Sequence, residues 1–290
     1  MKCRICGSDQ TMGQLSVREM MIPTRESFEY FECANCHCLQ IRDIPENLGR
    51  YYGPDYYSFQ MPAERDVEGT ENTESSEGID CGTDKWDMTP VLDVGCGAGK
   101  FLQELRAVGY GNLTGCDPFL EQDITYGDEI HIYKRTIHEM GGVYEKIFMN
   151  DSFEHVTDPH EVMDSLHRLL APQGIARIAI PVYPNIAYDM FGADWYQLDA
   201  PRHMFLHSRQ SMELLARKHG FRIVDVSYDA DPSQIFRSYL YSKDVPFWEQ
   251  KMRMILEDLG EAEVAEIEKL SKEANEKEYG DHAVFCLMKE

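Results

Sequence analysis

The stretch that most constrains this chain is Val91-Leu92-Asp93-Val94-Gly95-Cys96-Gly97-Ala98-Gly99-Lys100. Four residues with an apolar skeleton and one carboxylate run into a glycine-rich turn, and Phe101–Leu105 then reads as a helix. A buried parallel strand, a tight loop and a helix N-terminus together aim backbone N–H groups at a ligand. Glycines in the loop let the backbone turn sharply and let the ligand approach without a Cβ in the way. The spacing is G-x-G-x-G, and Lys100 stands where a dinucleotide fingerprint wants its third glycine, which disfavours a nicotinamide cofactor.

The pattern downstream alternates strands and helices. Asn112–Asp117 reads as a second strand ending on a carboxylate, twenty residues after Gly97. An acid at that place can accept hydrogen bonds from both ribose hydroxyls of a nucleoside. Residues 130–134 form a third strand and 146–150 a fourth, followed by Asp151-Ser152-Phe153-Glu154-His155-Val156. A helix starts at Asp158 as N-cap with Pro159 at its first position and Glu161 at its third. Val162, Leu166, Leu169 and Leu170 share its apolar face, Pro172-Gln173-Gly174 ends it, and 175–181 is a fifth strand. Ser208 caps a helix through Lys218, which Gly220 stops, and 221–226 is a sixth strand. A helical insertion at about 233–280 precedes a closing seventh strand, 283–288.

The turn at 93–99 resembles motif I of the class I S-adenosylmethionine (SAM) methyltransferases, and Asp117-Pro118 matches the place of their motif II acid. Glu154-His155-Val156, Asp158-Pro159, Leu169-Leu170-x-Pro172-x-Gly174 and Ile180-Pro181 closely resemble the bacterial small-molecule and ubiquinone-type methyltransferases. The resemblance runs from about Thr89 to the C-terminus. It implies an α/β fold, with a seven-stranded Rossmann-like sheet and helices on both faces. It implies SAM held by Asp93, Gly95, Cys96, Gly97, Gly99, Asp117 and Pro118, with Thr136 beside the adenine and Asp151 near the methionine end. The segment after the fifth strand would border the acceptor, with Trp195 and Tyr196 as walls and Arg202 beside them. His203 is the first candidate for orienting or deprotonating the acceptor. His155 is the second, with a structural role favoured for it.

Near the N-terminus, Cys3-x-x-Cys6 and Cys33-x-x-Cys36 supply four thiols in paired spacing. Four thiolates suit a closed, tetrahedral, structural zinc site. Cys38 and His37, adjoining the second pair, are the alternatives for the fourth ligand. The expected organisation is a zinc-ribbon-like module at 1–60, an acidic linker at 61–88 and the methyltransferase domain at 89–290. Five aromatics between Tyr51 and Phe59 either line an entrance or dock the module on its neighbour.

Charge and composition narrow the partners. The formal net charge is −23, which disfavours a phosphate backbone as partner. No run of eighteen apolar residues is present, so no membrane span is expected, and the first residues carry no apolar leader segment. Nine cysteines, an odd number and partly in CxxC spacing, fit a reducing compartment, so the expected location is the cytoplasm. The expected function is SAM-dependent methyl transfer to a small molecule, a sugar or another biosynthetic intermediate. The zinc module beside such a domain is also similar to the sugar C-methyltransferases. The alternatives are SAM binding without turnover, with the zinc module on a protein partner, and a zinc-module RNA methyltransferase.

Overall fold

The computed structural model describes residues 1–22, 24–52 and 87–290. The acidic segment at 64–80 and the aromatics beyond Tyr52 lie outside the described residues. Three antiparallel strands open the chain: β1 (Thr11–Arg18), β2 (Ser27–Cys33) and β3 (Leu39–Ile41). Then follow β4 (Val91–Val94), α1 (Lys100–Ala107), β5 (Leu113–Cys116), β6 (Ile124–Tyr126), β7 (Ile130–Tyr133) and β8 (Tyr144–Asn150). The remainder is α2 (Pro159–Leu169), β9 (Leu170–Pro181), α3 (Ile186–Phe191), β10 (Phe205–Leu206), α4 (Arg209–Lys218), β11 (Phe221–Tyr228), α5 (Pro232–Ser242), α6 (Met252–Glu276) and β12 (His282–Lys289). Among the described residues no helix is long and apolar enough to cross a membrane.

The large sheet has the order β11-β12-β9-β8-β4-β5-β7-β6. Strands β9, β8, β4, β5 and β7 run parallel, and β12 lies antiparallel between β9 and β11. β4 is flanked by β5 on one side and by β8 on the other, so the order reverses at β4. A ligand crevice opens at such a switch point, outside the carboxyl ends of the strands. Gly95 follows β4 there, and Asn150 ends β8.

The sheet has eight strands where seven are expected. The extra one, β6, is a three-residue edge strand antiparallel to β7. It is too short to carry a periodic signal. Its Tyr126 hydroxyl donates to Ala98 O at 3.0 Å, which ties it to the glycine turn.

Helix faces follow the apolar spacing. Leu102 and Leu105 of α1 are buried, as are Val162, Met163, Leu166 and Leu169 of α2. Asp158 Oδ1 accepts from the N–H groups of His160 (3.0 Å) and Glu161 (3.1 Å), capping α2. Pro172-Gln173-Gly174, expected to end this helix, lies instead inside β9, which begins at Leu170 directly after α2. A Cβ on Gly174 would sit 2.8 Å from Glu145 O, so the glycine permits close contact with the neighbouring backbone. In the insertion α5 and α6 pack through Phe236, Leu240 and Ile255, and α6 is interrupted at Gly260, whose φ is 79°.

Among the described residues the N-terminal segment shares its core with the large sheet and its helices. β10 pairs with β3, Phe205 opposite Gln40 and Leu206 opposite Leu39, so the small sheet has the order β1-β2-β3-β10. One buried cluster contains Cys3, Ile5 and Tyr30 together with Leu206, Met212 and Leu215. The Tyr30 hydroxyl donates to His203 O at 2.8 Å, and Ser208 Oγ donates to Cys36 O at 2.5 Å. Roughly fifty residues bury too little apolar surface to stand alone, and this segment gains its core by sharing one.

Candidate functional site

The glycine turn is shaped by contacts that leave no room for side chains. Gly95 has φ 77°, and a Cβ there would meet Ser152 Cβ at 2.5 Å. Gly99 has φ 84°, and its Cβ would meet Ile132 Cδ1 at 2.3 Å. Gly99 therefore packs against β7 as the N-cap of α1, between Ala98 and Lys100, which line the larger cavity.

Asp117 holds the turn from the neighbouring strand. Its Oδ2 accepts from Gly97 N at 3.0 Å and its Oδ1 from Phe119 N at 2.9 Å. Burial pushes its carboxyl up, and those two N–H bonds oppose the shift. Asp93 is buried in β4 beside it, and burial first, then the charge of Asp117, push its carboxyl up to about 7. The cleft floor thus carries two acids whose ionisation burial opposes, Asp93 the more strongly, an arrangement that a cationic ligand would relieve.

Two cavities meet over this floor. The smaller, about 440 Å³, is lined by Asp117, Pro118, Thr136, His155 and two aromatics, Tyr52 and Phe119. The aromatic pair is stacked with ring centroids 4.9 Å apart. The larger, about 850 Å³, is lined by Asp93, Cys96, Gly97, Glu154, Tyr196 and His203. Gly95, Asn150 and Asp151 border both. The lining fits a nucleoside in the smaller space: an acid at a strand end, the backbone of the glycine turn at Gly95 without a side chain in the way, and apolar walls.

Asp151 has φ 46°, and its Oδ1 lies 3.1 Å from His282 Nε2. His282 Nδ1 lies 2.6 Å from Asp229 Oδ1. Burial opposes charge on this imidazole, but hydrogen bonds to Asp151 and Asp229 outweigh it and push His282 up to about 10. The cleft wall therefore holds an imidazolium between two carboxylates. His282 and Asp229 escape sequence reasoning, since each is a lone polar residue at the end of a strand and no motif marks it.

The two expected histidines stand together. His203 Nδ1 lies 2.7 Å from Gln197 O, and His155 Nδ1 lies 3.0 Å from Arg202 O. Their rings meet edge to face at 4.6 Å. Burial lowers both, His155 to about 3.

Two expected acceptor residues lie behind the cleft. Trp195 is 1% exposed, and its Nε1 donates to Asp281 Oδ2 at 2.8 Å, so it belongs to the core and not to the cavity wall. Arg202 is fully buried. Its Nε donates to Asp199 Oδ2 at 2.8 Å and its Nη2 to Glu19 Oε1 at 3.0 Å. Its Nη1 donates to Tyr51 O at 3.2 Å, so with two carboxylates beside it its charge is committed to bracing the loop against the N-terminal segment. Tyr196 does line the larger cavity, with its ring stacked on Phe247 at 6.0 Å.

The four cysteines converge. Cys3, Cys6, Cys33 and Cys36 have their sulfurs within 4.8 Å of one another. Cys3 Sγ and Cys36 Sγ are 3.6 Å apart, and Cys6 Sγ and Cys33 Sγ 3.5 Å. A tetrahedral zinc with bonds of about 2.3 Å needs sulfurs ~3.8 Å apart, so the set fits that ion. Each CxxC pair turns alike: Gly7 N donates to Cys3 O at 3.0 Å and His37 N to Cys33 O at 2.9 Å. Gly7 and His37 have φ of 76° and 56°, so His37 takes the turn position that glycine takes in the first pair. Its ring turns to Glu32 Oε1 at 3.0 Å, and Cys38 Sγ turns to Leu39 O at 3.8 Å. Neither belongs to the converging group.

The doubly wound sheet, its glycine turn and the acid ending β5 define the class: a class I SAM-dependent methyltransferase fold. A family model described as a methyltransferase domain matches residues 65–226, more than half of the chain. The chain belongs to that methyltransferase-domain family. The ubiquinone biosynthesis O-methyltransferase of Colwellia psychrerythraea is 31% identical over 110 residues, covering 34% of this chain and 44% of that relative. The corresponding protein of Cronobacter sakazakii is 33% identical over 95 residues, covering 29% and 39%. The chain thus spans about two fifths of the length of the curated relatives it matches. Among solved structures, a chain from the complex between the Haloferax volcanii Trm112 methyltransferase activator and a methyltransferase gives a TM-score of 0.48. It is 16% identical, over 71% of this chain and 84% of that one.

Proposed function

We propose that the protein is a SAM-dependent methyltransferase acting on a small-molecule acceptor, with a structural zinc in its N-terminal segment. The observation that carries this reading is the junction of the two cavities over Gly95, Asn150 and Asp151, with Asp117 in the smaller one and Tyr196 and His203 in the larger. SAM, when bound, supplies a methyl group already activated by its sulfonium. Asp117 would accept from the ribose hydroxyls and hold the turn at once. Asp93 and Asp151 would balance the positive charge of the cofactor. Tyr196 and Phe247 would exclude water around the acceptor.

His203 and His155 would orient an acceptor hydroxyl or take its proton. His203 Nδ1 lies against Gln197 O, which can only accept, so Nδ1 carries the proton and Nε2 is left as the basic atom, whereas His155 Nδ1 is shared between Arg202 O at 3.0 Å and the Tyr52 hydroxyl at 3.1 Å. A net charge of −23 supports a small acceptor over a nucleic acid.

The test uses SAM labelled on its methyl group and a cell lysate separated into small-molecule, protein and RNA fractions. Label is expected in the small-molecule fraction. Label confined to RNA or protein overturns the acceptor class. Bound SAM with no transfer across several lysates overturns the enzymatic reading.

A further inference from the structure

We propose that Arg237 and Gln234 of α5 form an oxyanion subsite in the larger cavity, so that the small-molecule acceptor carries a carboxylate or a phosphate. The inference rests on the reading of this cavity as the acceptor site and names the chemistry of what enters it. The helical insertion supplies one wall, with Ser233, Gln234, Arg237 and Phe247. Among the described residues no carboxylate belongs to that wall. The acids that border the cavity stand elsewhere. Asp93 lies in β4, Glu104 in α1 and Glu154 after β8, while Asp151 and Asp229 flank His282.

Two rings hold the guanidinium of Arg237. Its Cζ lies 4.7 Å from the centre of the Phe247 ring and 5.4 Å from that of Tyr196. Tyr196 is fixed to the same helix, since its N–H donates to Ser238 Oγ at 2.9 Å. Phe247 N donates to Met20 O at 3.0 Å, which ties this wall to the N-terminal segment. Contact with aromatic faces orients a guanidinium and leaves the N–H groups at its edge to donate. Among the described residues one side-chain hydrogen bond engages that edge, from Nη1 to Gln250 Oε1 at 3.3 Å, and no carboxylate pairs with it. Arg177, the other arginine of the cavity, is committed by contrast. Its Nη1 donates to Asn150 Oδ1, and its Nη2 lies 3.9 Å from Asp229 Oδ2.

Gln234 precedes Arg237 by three residues on α5, so the two share a face of the helix. Its Oε1 is buried and has no hydrogen-bond partner among the described residues. Such an atom calls for a donor, and a hydroxyl or N–H of the ligand beside its anionic group supplies one. A guanidinium meets a carboxylate or a phosphate through two parallel hydrogen bonds, which fixes orientation as well as charge. The chain has 51 acidic residues against 28 basic ones. An arginine that faces a cavity without a carboxylate partner in so acidic a chain marks the place where the ligand brings the negative charge. Arg237 is thus a specificity-determining residue that anchors the acceptor at the end away from the transferred methyl group.

The probes are 4-fluorobenzoate, fluorophosphate and the neutral 4-fluorobenzamide. Each is titrated into the folded full-length protein, with and without saturating S-adenosylhomocysteine, and followed by fluorine NMR line broadening. With the cofactor product in place, at least one anion is expected to bind ~10-fold more tightly than the amide. Preference for the benzoate assigns a carboxylate, and preference for fluorophosphate a phosphate. Arg237→Gln should weaken the preferred anion ~10-fold, and Arg237→Lys, which keeps the charge but not the planar fork, at least ~3-fold. Equal binding of the anions and the amide overturns the proposal, as does anion binding that both variants leave unchanged. If Arg237→Gln fails to fold, Arg237→Lys decides by the same criterion. The readout needs no turnover. Failure of S-adenosylhomocysteine to bind would overturn the methyltransferase reading instead, and the anion titration of the ligand-free protein would still decide the subsite.

Discussion

Gly97 N donates to Asp117 Oδ2 at 3.0 Å, so the acid that ends β5 holds the turn that follows β4. Twenty residues of sequence, the whole of α1 and one crossover separate the two groups. The same carboxylate lines the smaller cavity. Removing it should damage the ligand contact and the shape of the turn together.

Asp117→Ala is therefore expected to weaken SAM binding roughly 10- to 100-fold, the loss of one or two hydrogen bonds to a charged group. Asp117→Asn should retain the Phe119 or the Gly97 bond and lose less. Isothermal titration with SAM checks both, and unchanged affinity in the alanine variant would refute the assignment.

Asp93 gives a pH signature. Its folded value, raised to about 7 by burial and by Asp117, lies above the unfolded value near 3.9. Its contribution to stability is fully present below that unfolded value and is lost as pH rises through about 7. Asp93→Asn should flatten the fall in unfolding free energy between pH 4 and 7, by about 2–4 kcal/mol at most. Denaturant titrations at several pH values read this slope. A parallel slope in the variant means that another group titrates there.

His282 acts in the same direction, but on the alkaline side. Burial resists its charge, yet Asp151 and Asp229 raise it to about 10, above the unfolded value near 6.5. The stability it contributes is present below about 6.5 and lost as pH rises through about 10. His282→Gln should remove that alkaline loss and leave Asp151 and Asp229 facing each other without the cation between them. Thermal unfolding from pH 6 to 10 compares the two proteins, and an unchanged alkaline slope counts against the triad.

Arg202 tests the union of the N-terminal segment with the rest. Arg202→Met leaves Glu19 and Asp199 buried beside an apolar side chain. The cost is expected at about 3–5 kcal/mol, because a broken buried pair strands the surviving charge. Chemical denaturation measures it. A loss below about 1 kcal/mol means that the buried pair is not what joins the two parts.

Chelation of zinc should act at a distance for the same reason. β3 pairs with β10, and Cys36 O accepts from Ser208. Loss of the ion is expected to lower the melting temperature of the whole protein in one transition and to weaken SAM binding. A separate early transition of the first fifty residues, with SAM affinity intact, would show an independent module instead.

The glycine turn, the acid at 117 and the strand–helix alternation were legible because each is a local pattern with a local cause. A G-x-G-x-G turn needs residues without a Cβ, and Asp158-Pro159 needs only its own helix to act as a cap. The paired cysteines were legible for the same reason, since spacing along the chain sets how a turn wraps a metal. Trp195 and Arg202 were misplaced because the sequence names a residue type and its neighbours, and not the face it turns. Whether Trp195 lines a cavity or meets Asp281 depends on a strand that lies 86 residues away.

By itself the sequence determined the class of fold, the position of the crevice and the two sets of candidate ligands near its ends. All of these follow from short-range periodicity, turn chemistry and spacing. Tertiary structure alone decided the rest: the sharing of one core by the cysteine segment and the sheet, the imidazolium of His282 between Asp151 and Asp229, and the meeting of Glu154 with two histidines. Each depends on side chains from distant segments being buried together, and only in a shared low-dielectric interior do such groups set one another's charge and orientation.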